Sequence, residues 1–428
     1  MERTWTRDLP ARAGERVRMA GWLHARRELS RMTFVLLRDA TGLAQVVVED
    51  PGGVDEAARL PPETVLEVEG LAVANDQAPG GVELHEPAFR IVSLPAGPPP
   101  IDLRRPVLRE QLPTLLDHAA VSLRHPGRRA PFRLAAATLA GYRAALDALG
   151  FVEICTPKIV GAATESGANV FAVDYFGRPA FLAQSPQLYK QIMVGVFERV
   201  YEVGPVFRAE PHETGRHLAE YVSLDAEVGF VEDHRTVMAF AREAVAGMVE
   251  GARSVAPHDL ELPEVPAEIP SVDFAEAQAI IEADTGERVV GEPDLAPAHE
   301  RWLGDWTLRE RGSDFLFVTG YPMEKRPFYT HPDPARPGFS NSFDLIFRGL
   351  EVITGGQRLN RYEDYLEALA AREQDPEFYE GYLEAFPYGM PPHGGFALGL
   401  ERWVARLLEA PNVRETTLFP RDLTRLHP

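Results

Sequence analysis

Five short β-rich runs crowd into the first hundred residues, the pattern turns helical from about residue 130, and at 428 residues two or three domains are expected. The runs cover residues 17–23, 33–38, 43–49, 65–73 and 82–92. Turn signals such as Asp39-Ala40-Thr41-Gly42 and Ala78-Pro79-Gly80-Gly81 separate them. A stiff proline stretch, LPAGPPP at 94–100, then closes the segment. Residues 101–130 read as a polar hinge made more basic by LRRP and LRHPGRR. From 131 onward the chain alternates helices and strands without a regular βαβ rhythm, which favours an α+β body built on an antiparallel sheet. Residues 132–149 show helical apolar spacing ended by Gly150, and 151–154 read as a strand stopped at Thr156-Pro157. Segments 255–270 and 286–300, rich in proline and acids, read as insertions or loops.

Five strands in about 80 residues suggest a small all-β barrel. The natural candidate is an OB-fold, which commonly binds single-stranded nucleic acid on one face. Trp22, His24, Arg26, Phe34 and Gln45 can supply the stacking and polar groups of such a face, although the aromatic ones suit a barrel core equally. The formal net charge is −20, yet residues 1–38 hold nine arginines against four acids. A basic N-terminal portion on an acidic body is compatible with nucleic acid, as is a solvated arginine-rich surface. Hydrophobic residues at 45% exclude a disordered chain, and no apolar run reaches the roughly 18 residues of a membrane span. The start, MERTWTRDLPARAGERVRMA, lacks the apolar centre of a secretory signal, and its acids argue against a transit peptide. Cys155 is the only cysteine, which rules out an internal disulfide and multi-cysteine zinc sites and suits the cytoplasm.

The chain has no G-x-x-x-x-G-K-[ST] loop and no convincing strand–GxGxxG–helix unit, so a nucleotide site needs arginines and magnesium instead. Three segments offer these. Residues 200–207 form a strand running into Arg208-Ala209-Glu210, with a polar loop carrying Arg216 and His217 before a second strand at 221–230. A guanidinium at such an exit can fork onto a phosphate, and a surface salt bridge satisfies the same pattern. Strands at 343–347 and 350–354 bring Asp344 and Glu351 onto neighbours, where a hard cation can bridge them to phosphates. Gly355-Gly356-Gln357 follows and frees Arg358 for a cleft. Finally, GGFALGLER passes from strand to helix with Arg402 in the first turn, where a cation opposes the helix dipole unless an anion binds there.

Taken together these segments resemble the signature motifs of class II aminoacyl-tRNA synthetases. FVEICTPKI with its preceding helix resembles motif 1, FRAE…RHLAEYVSLDAEVGF motif 2, and GGFALGLERW motif 3. TESGANVFAVDYFG, AFLAQSPQLYKQIM, FDLIFRGLEVITGGQR and YGMPPHGG are similar to the archaeal-type aspartyl-tRNA synthetases, also found in some bacteria. The resemblance covers nearly the whole chain. It implies an anticodon-binding OB-fold at 1–100, a hinge at 101–130 and a class II catalytic domain at 131–428.

The resemblance also implies roles. Arg208 would hold the α-phosphate of ATP, Arg402 would clamp its far end and Tyr221 would stack on adenine. Ala209, Glu210, Arg216, His217, Leu218, Glu351, Gly399, Leu400 and Glu401 would complete the ATP site. Gln187, Leu188, Tyr189 and Lys190 would line the aspartate pocket, with Lys190 and the bidentate Arg358 on the side-chain carboxylate. Glu165 and Asp225 would face the amino group, with Arg208 and Thr354 nearby, and Arg208, Arg402 and Lys190 would be the catalytic set. Glu351, helped by Asp344 and Thr354, would carry Mg²⁺. Motif 1 implies a homodimer. Ser166, Thr354 and Leu400 depart from the usual family residues, and Ser166 bears on how its loop closes over the amino acid.

His24 and Pro79 match anticodon-facing positions of relaxed enzymes that aspartylate both tRNA(Asp) and tRNA(Asn). A tRNA(Asp)-only enzyme, a tRNA-independent paralogue making asparagine, an asparaginyl enzyme and an inactive nucleic-acid binder are the rivals. The intact barrel, Arg358 and the retained arginines and acids speak against the last three.

Overall fold

A computed structural model describes residues 2–29, 32–161, 169–211 and 214–427. Its contacts divide the chain into two units, the first closing at Ala130 and the second opening at Pro131.

In the first unit, β1 (Arg16–Glu28), β2 (Thr33–Arg38), β3 (Leu43–Val48), β4 (Val65–Ala74) and β5 (Val82–Ser93) close a barrel in the order β1-β2-β3-β5-β4. Only the β3–β5 pairing is parallel. Strand alternation explains the filling: Met19, Leu23, Val35, Leu37, Val46 and Val68 point inward and are wholly inaccessible. The OB-fold read from strand spacing is therefore present. The sequence reading has no counterpart for helix α1 (Pro51–Arg59), between β3 and β4. Pro51-Gly52-Gly53 looks like a breaker, but Asp50 accepts the Gly53 N–H and proline suits the first helical position. Short helices α2 (Leu112–Asp117) and α3 (Ala119–Ser122) occupy part of 101–130, where Ile101, Leu103 and Leu115 bury a small cluster.

Helix α4 (Pro126–Ala148) runs across the division into the second unit, followed by β6 (Val152–Glu153). Strands β7 (Ile159–Val160), β8 (Ala172–Tyr175) and β9 (Arg178–Leu182) form a small sheet of order β7-β9-β8. Then come α5 (Gln187–Phe197), β10 (Arg199–Phe207), β11 (Glu220–Gly229) and α6 (His234–Arg253). After β12 (Ser271–Asp273), α7 (Phe274–Thr285) and α8 (Pro297–Arg311) lead to β13 (Phe315–Thr319). The hairpin β14 (Ser342–Phe347) and β15 (Leu350–Gln357) is followed by α9 (Tyr362–Ala370) and α10 (Glu380–Leu383). Strand β16 (His393–Gly399) and helix α11 (Leu400–Leu407) complete the main elements.

The large sheet has eight strands in the order β12-β13-β14-β15-β16-β11-β10-β6. Its middle is antiparallel, as expected, while β12–β13 and β6–β10 are parallel at the edges. Apolar faces of α4 and α6, including Tyr142, Leu146, Val237 and Val245, share a core with Leu224, Ile353 and Phe396 of the sheet. That packing commits one sheet face to the interior and leaves the other to the site.

Candidate active site

Register across four strands aligns the polar residues. Asp225 on β11 pairs with Ala397 on β16, Ala397 with Thr354 on β15, and Thr354 with Asp344 on β14. One step along, Glu227 pairs with Gly395 and Gly395 with Gly356. Alternation sends Leu224, Ala226 and Val228 into the core and turns Ser223, Asp225 and Glu227 the other way. Opposite them, β16 offers only Gly395, Ala397 and Gly399, so the middle of the sheet is hollow. A cavity of about 460 Å³ opens there.

Four charges lie at its base. Lys190, on α5, is wholly buried, with Nζ 3.0 Å from Asp225 Oδ1 and 3.3 Å from Glu227 Oε2, and it also donates to Phe396 O. Arg358 Nε donates to Glu227 Oε1 at 2.9 Å, and its Nη2 donates to Gly395 O. Ser223 Oγ donates to Asp225 Oδ2. Burial alone would push the Glu227 pKa up, but Arg358 and Lys190 outweigh it and hold the carboxyl below its ordinary range. Two cations and two anions therefore form a balanced, buried group at the base of the cavity, with Asp225 and Arg358 on its wall.

The rim is cationic. Arg208, where β10 ends, lies 5.7 Å from the Tyr221 ring and 4.0 Å from Glu210 Oε1. On the loop that follows, His217 Nε2 stands 3.6 Å from Glu210 Oε2, and Arg216 also faces the cavity. Arg402, in the first turn of α11, donates to Glu351 O at 3.3 Å and lies 3.9 Å from Glu351 Oε1. Thr354 Oγ1 donates to Glu351 Oε1. The Glu351 side chain is open to the cavity yet enclosed by protein, and this desolvation, together with Asp344, raises its pKa to about 7 against the pull of Arg402. Such a rim suits a polyanion: separated guanidinium groups, one acid-and-hydroxyl pair, and a floor that small residues keep clear.

A model of the tRNA synthetases of class II (D, K and N) matches residues 111–423. The chain belongs to this family. An OB-fold nucleic-acid-binding model matches residues 17–92. The aspartate–tRNA(Asp/Asn) ligase of Thermus thermophilus is 48% identical, with each chain covered in full. The aspartate–tRNA(Asp) ligase of Pyrococcus furiosus is 38% identical over 97% of either chain. Among solved structures, asparaginyl-tRNA synthetase from Pyrococcus horikoshii complexed with asparaginyl-adenylate superposes with a TM-score of 0.93 at 30% identity, covering both chains completely.

Several residues of this synthetase sit differently from their sequence-based reading. Asp344 does not pair with Glu351: both its oxygens accept from Arg326, at 3.2 and 3.0 Å, and that guanidinium lies over the Tyr321 ring. Leu188 packs into an apolar cluster with Phe328 and Tyr365 instead of lining the cavity, because α5 turns that face away. Tyr189 and Ala209 are likewise absent from the cavity wall, and Lys190 lies beneath it. Glu401 lines the cavity, with its carboxylate accepting the Val222 N–H, and burial raises its pKa to about 7. Leu400 joins the hydrophobic core, whereas Gln187, Leu218 and Gly399 do line the cavity. Glu165 and Ser166 lie outside the described residues.

Sequence reasoning missed Glu227, Ser223, Lys325, Arg326 and Tyr329. Alternation along Ser223-Leu224-Asp225-Ala226-Glu227 was a usable signal for the first two; the others come from distant segments with no local pattern.

In the barrel, Trp22, Phe34 and Gln45 are half-buried and Arg26 is exposed, but His24 is not on an open face. The β1–β2 register slips between Leu23 and Ala25, and His24 is buried beside Arg38, whose Nη1 is 3.1 Å from His24 Nδ1. Arg38 in turn grips both oxygens of Glu63 at 2.8 Å. Pro79 is exposed at the start of a single 3-10 turn, Pro79–Gly81.

Proposed function

We propose that the chain is an aspartate–tRNA ligase that activates L-aspartate with ATP and esterifies it to the 3′ end of tRNA. The observation that carries this is the buried Lys190–Asp225–Glu227–Arg358 group under an arginine-rimmed cavity. The group's balance allows a charged amino acid to be recognised in a dry site, because the partners of each charge are fixed beforehand. Arg358 donates from Nε and Nη2 to Glu227 and Gly395, and Nη1 is assigned to the substrate's side-chain carboxylate. A cation there distinguishes aspartate from asparagine.

In the first step an α-carboxylate oxygen of aspartate attacks the α-phosphorus of ATP and pyrophosphate leaves. Arg208 holds the α-phosphate, Arg402 and the loop pair Arg216 and His217 hold the outer phosphates, and Tyr221 takes the adenine. No protein nucleophile is required; alignment and charge stabilisation supply the rate. In the second step a ribose hydroxyl of the tRNA 3′ end attacks the mixed anhydride carbonyl and AMP leaves. Glu351 and Thr354 offer hard oxygen donors 3.0 Å apart. Among the described residues no cluster of three or more His, Cys, Asp or Glu could hold a metal by itself. This donor set fits Mg²⁺, which takes one or two carboxylates and completes its shell with phosphates and water. When bound, Mg²⁺ neutralises phosphate charge. Aspartate-dependent ATP–pyrophosphate exchange tests the reading; exchange driven by asparagine but not aspartate sinks it.

Both tRNA(Asp) and tRNA(Asn) are proposed as substrates, supported by the Thermus relative's name, while His24 is buried beside Arg38 and is not itself open to an anticodon. Arginine only donates, so His24 Nδ1 accepts and Nε2 carries the proton. Burial first, then Arg38, lowers the His24 pKa to about 4, which keeps the ring neutral at working pH. Side-by-side charging should give aspartyl ester on both tRNAs, in a ratio constant between about pH 6 and 8 because titration occurs well below. Charging of tRNA(Asp) alone would refute the relaxed specificity.

A homodimer is supported by Val152, Ile159, Val196, Phe197 and Phe230, large apolar side chains exposed on or near the motif 1 edge. No helix among the described residues is long and apolar enough to cross a membrane, and a cytoplasmic location is proposed with the function.

A further inference from the structure

One buried carboxylate near the cavity has no part in the roles above. Glu300 lies in the first turn of α8, within a stretch whose composition reads as loop, and is 8% exposed. Its Oε2 accepts the backbone N–H of Glu351 at 3.0 Å. The same oxygen stands 3.6 Å from Arg216 Nη1. A single oxygen thus joins the strand presenting Glu351 to the loop presenting Arg216. Helix α8 is held firmly in place for this: at Gly304, one turn along, a Cβ would collide with the backbone of Gly349 in the β14–β15 turn.

Chemistry gives the contact a direction. A buried carboxylate is costly unless it is paired, and here a backbone N–H and a guanidinium supply the pairing. A guanidinium carries five N–H donors, so an arginine leaning on Glu300 through one nitrogen still has others to offer a phosphate. An arginine on a polar loop otherwise loses much rotamer freedom when it binds a ligand.

We propose that Glu300 is a positioning residue for ATP: it holds Arg216 over the cavity at a fixed spacing from Glu351, so that the arginine meets the outer phosphates already oriented. The inference rests on the reading of Arg216 as a phosphate contact, and the test separates the two. Full-length protein carrying Glu300→Ala, Glu300→Gln, Arg216→Ala or Glu300→Ala with Arg216→Ala is compared for KM in aspartate-dependent exchange and for equilibrium binding of β,γ-methylene-ATP. Glu300→Ala and Arg216→Ala should each raise the ATP KM about tenfold and weaken analogue binding equally, the scale of one charge-assisted contact. The aspartate KM should stay within about twofold, and the double variant should bind the analogue no worse than Arg216→Ala alone. Glu300→Gln keeps an acceptor for the Glu351 N–H but loses the charge facing Arg216. It should therefore match wild type in thermal stability while still binding the analogue more weakly. Multiplying effects in the double variant, or wild-type analogue binding by Glu300→Gln, would overturn the inference and leave Arg216 as an independent contact. Wild-type analogue binding by Arg216→Ala would overturn both.

Discussion

Replacing Arg208 by alanine is expected to abolish aspartate-dependent ATP–pyrophosphate exchange and leave tRNA binding close to wild type. Arg208 is placed where β10 ends, and the strand's pairing with β11 from Arg199↔Val228 to Phe207↔Glu220 fixes that exit. During adenylate formation negative charge builds on the α-phosphate oxygens, and a preoriented guanidinium stabilises it without reorganising solvent. Loss of one such donor costs about 10²–10³-fold in rate. Because its guanidinium also lies beside Tyr221, the substitution uncovers one face of the ring assigned to adenine, adding a smaller ATP-binding defect. The barrel is assigned the anticodon, so filter binding of tRNA reports on a different surface. Parallel loss of exchange and tRNA binding would show that the division of labour between the two units is wrong.

The parts of this site that were legible in the sequence are those whose signal is local. Arg208 follows a strand, Arg402 opens a helix, and Asp344 and Glu351 flank a hairpin turn; each position is set by neighbours within a few residues. Which side chains meet was less legible, because it depends on register between distant strands. Nothing near Asp344 announces that Arg326 will take both its oxygens, and nothing near Lys190 announces Glu227. Helix geometry can likewise split a contiguous motif: in QLYK, Gln187 lines the cavity, Leu188 enters an apolar cluster, and Lys190 sits beneath the floor. The barrel was legible as an architecture since five alternating runs allow few closures, yet a one-residue slip in β1 sufficed to bury His24. The proline- and acid-rich composition of 286–300 hid the start of α8, and α1 at Pro51–Arg59 had no sequence reading at all.

The largest combined effect is expected at Arg358, where one side chain serves the substrate and the fold together. Arg358→Leu removes the principal partner of Glu227, leaving two buried carboxylates to share Lys190. Breaking a buried pair from one side costs about 3–5 kcal/mol, because the abandoned charge keeps its desolvation penalty. Aspartate activation should fall on the order of 10³-fold in kcat/KM, in line with the loss of a desolvated charge contact. Adding Glu227→Gln separates the two roles: Lys190 and Asp225 then form a balanced pair, and most of the stability should return in thermal or urea unfolding. Activation should not return, since the remaining cation, Lys190, is held by Asp225 beneath the cavity floor and Arg358 is no longer there to meet the substrate's side-chain carboxylate. A replacement cation at Gly395 provides no escape, because any Cβ there would run into the side chain at position 227 and the Ala226 carbonyl. If the double variant regains aspartate activation along with stability, Arg358 is a structural partner of Glu227 and the selection of aspartate has to lie elsewhere in the pocket.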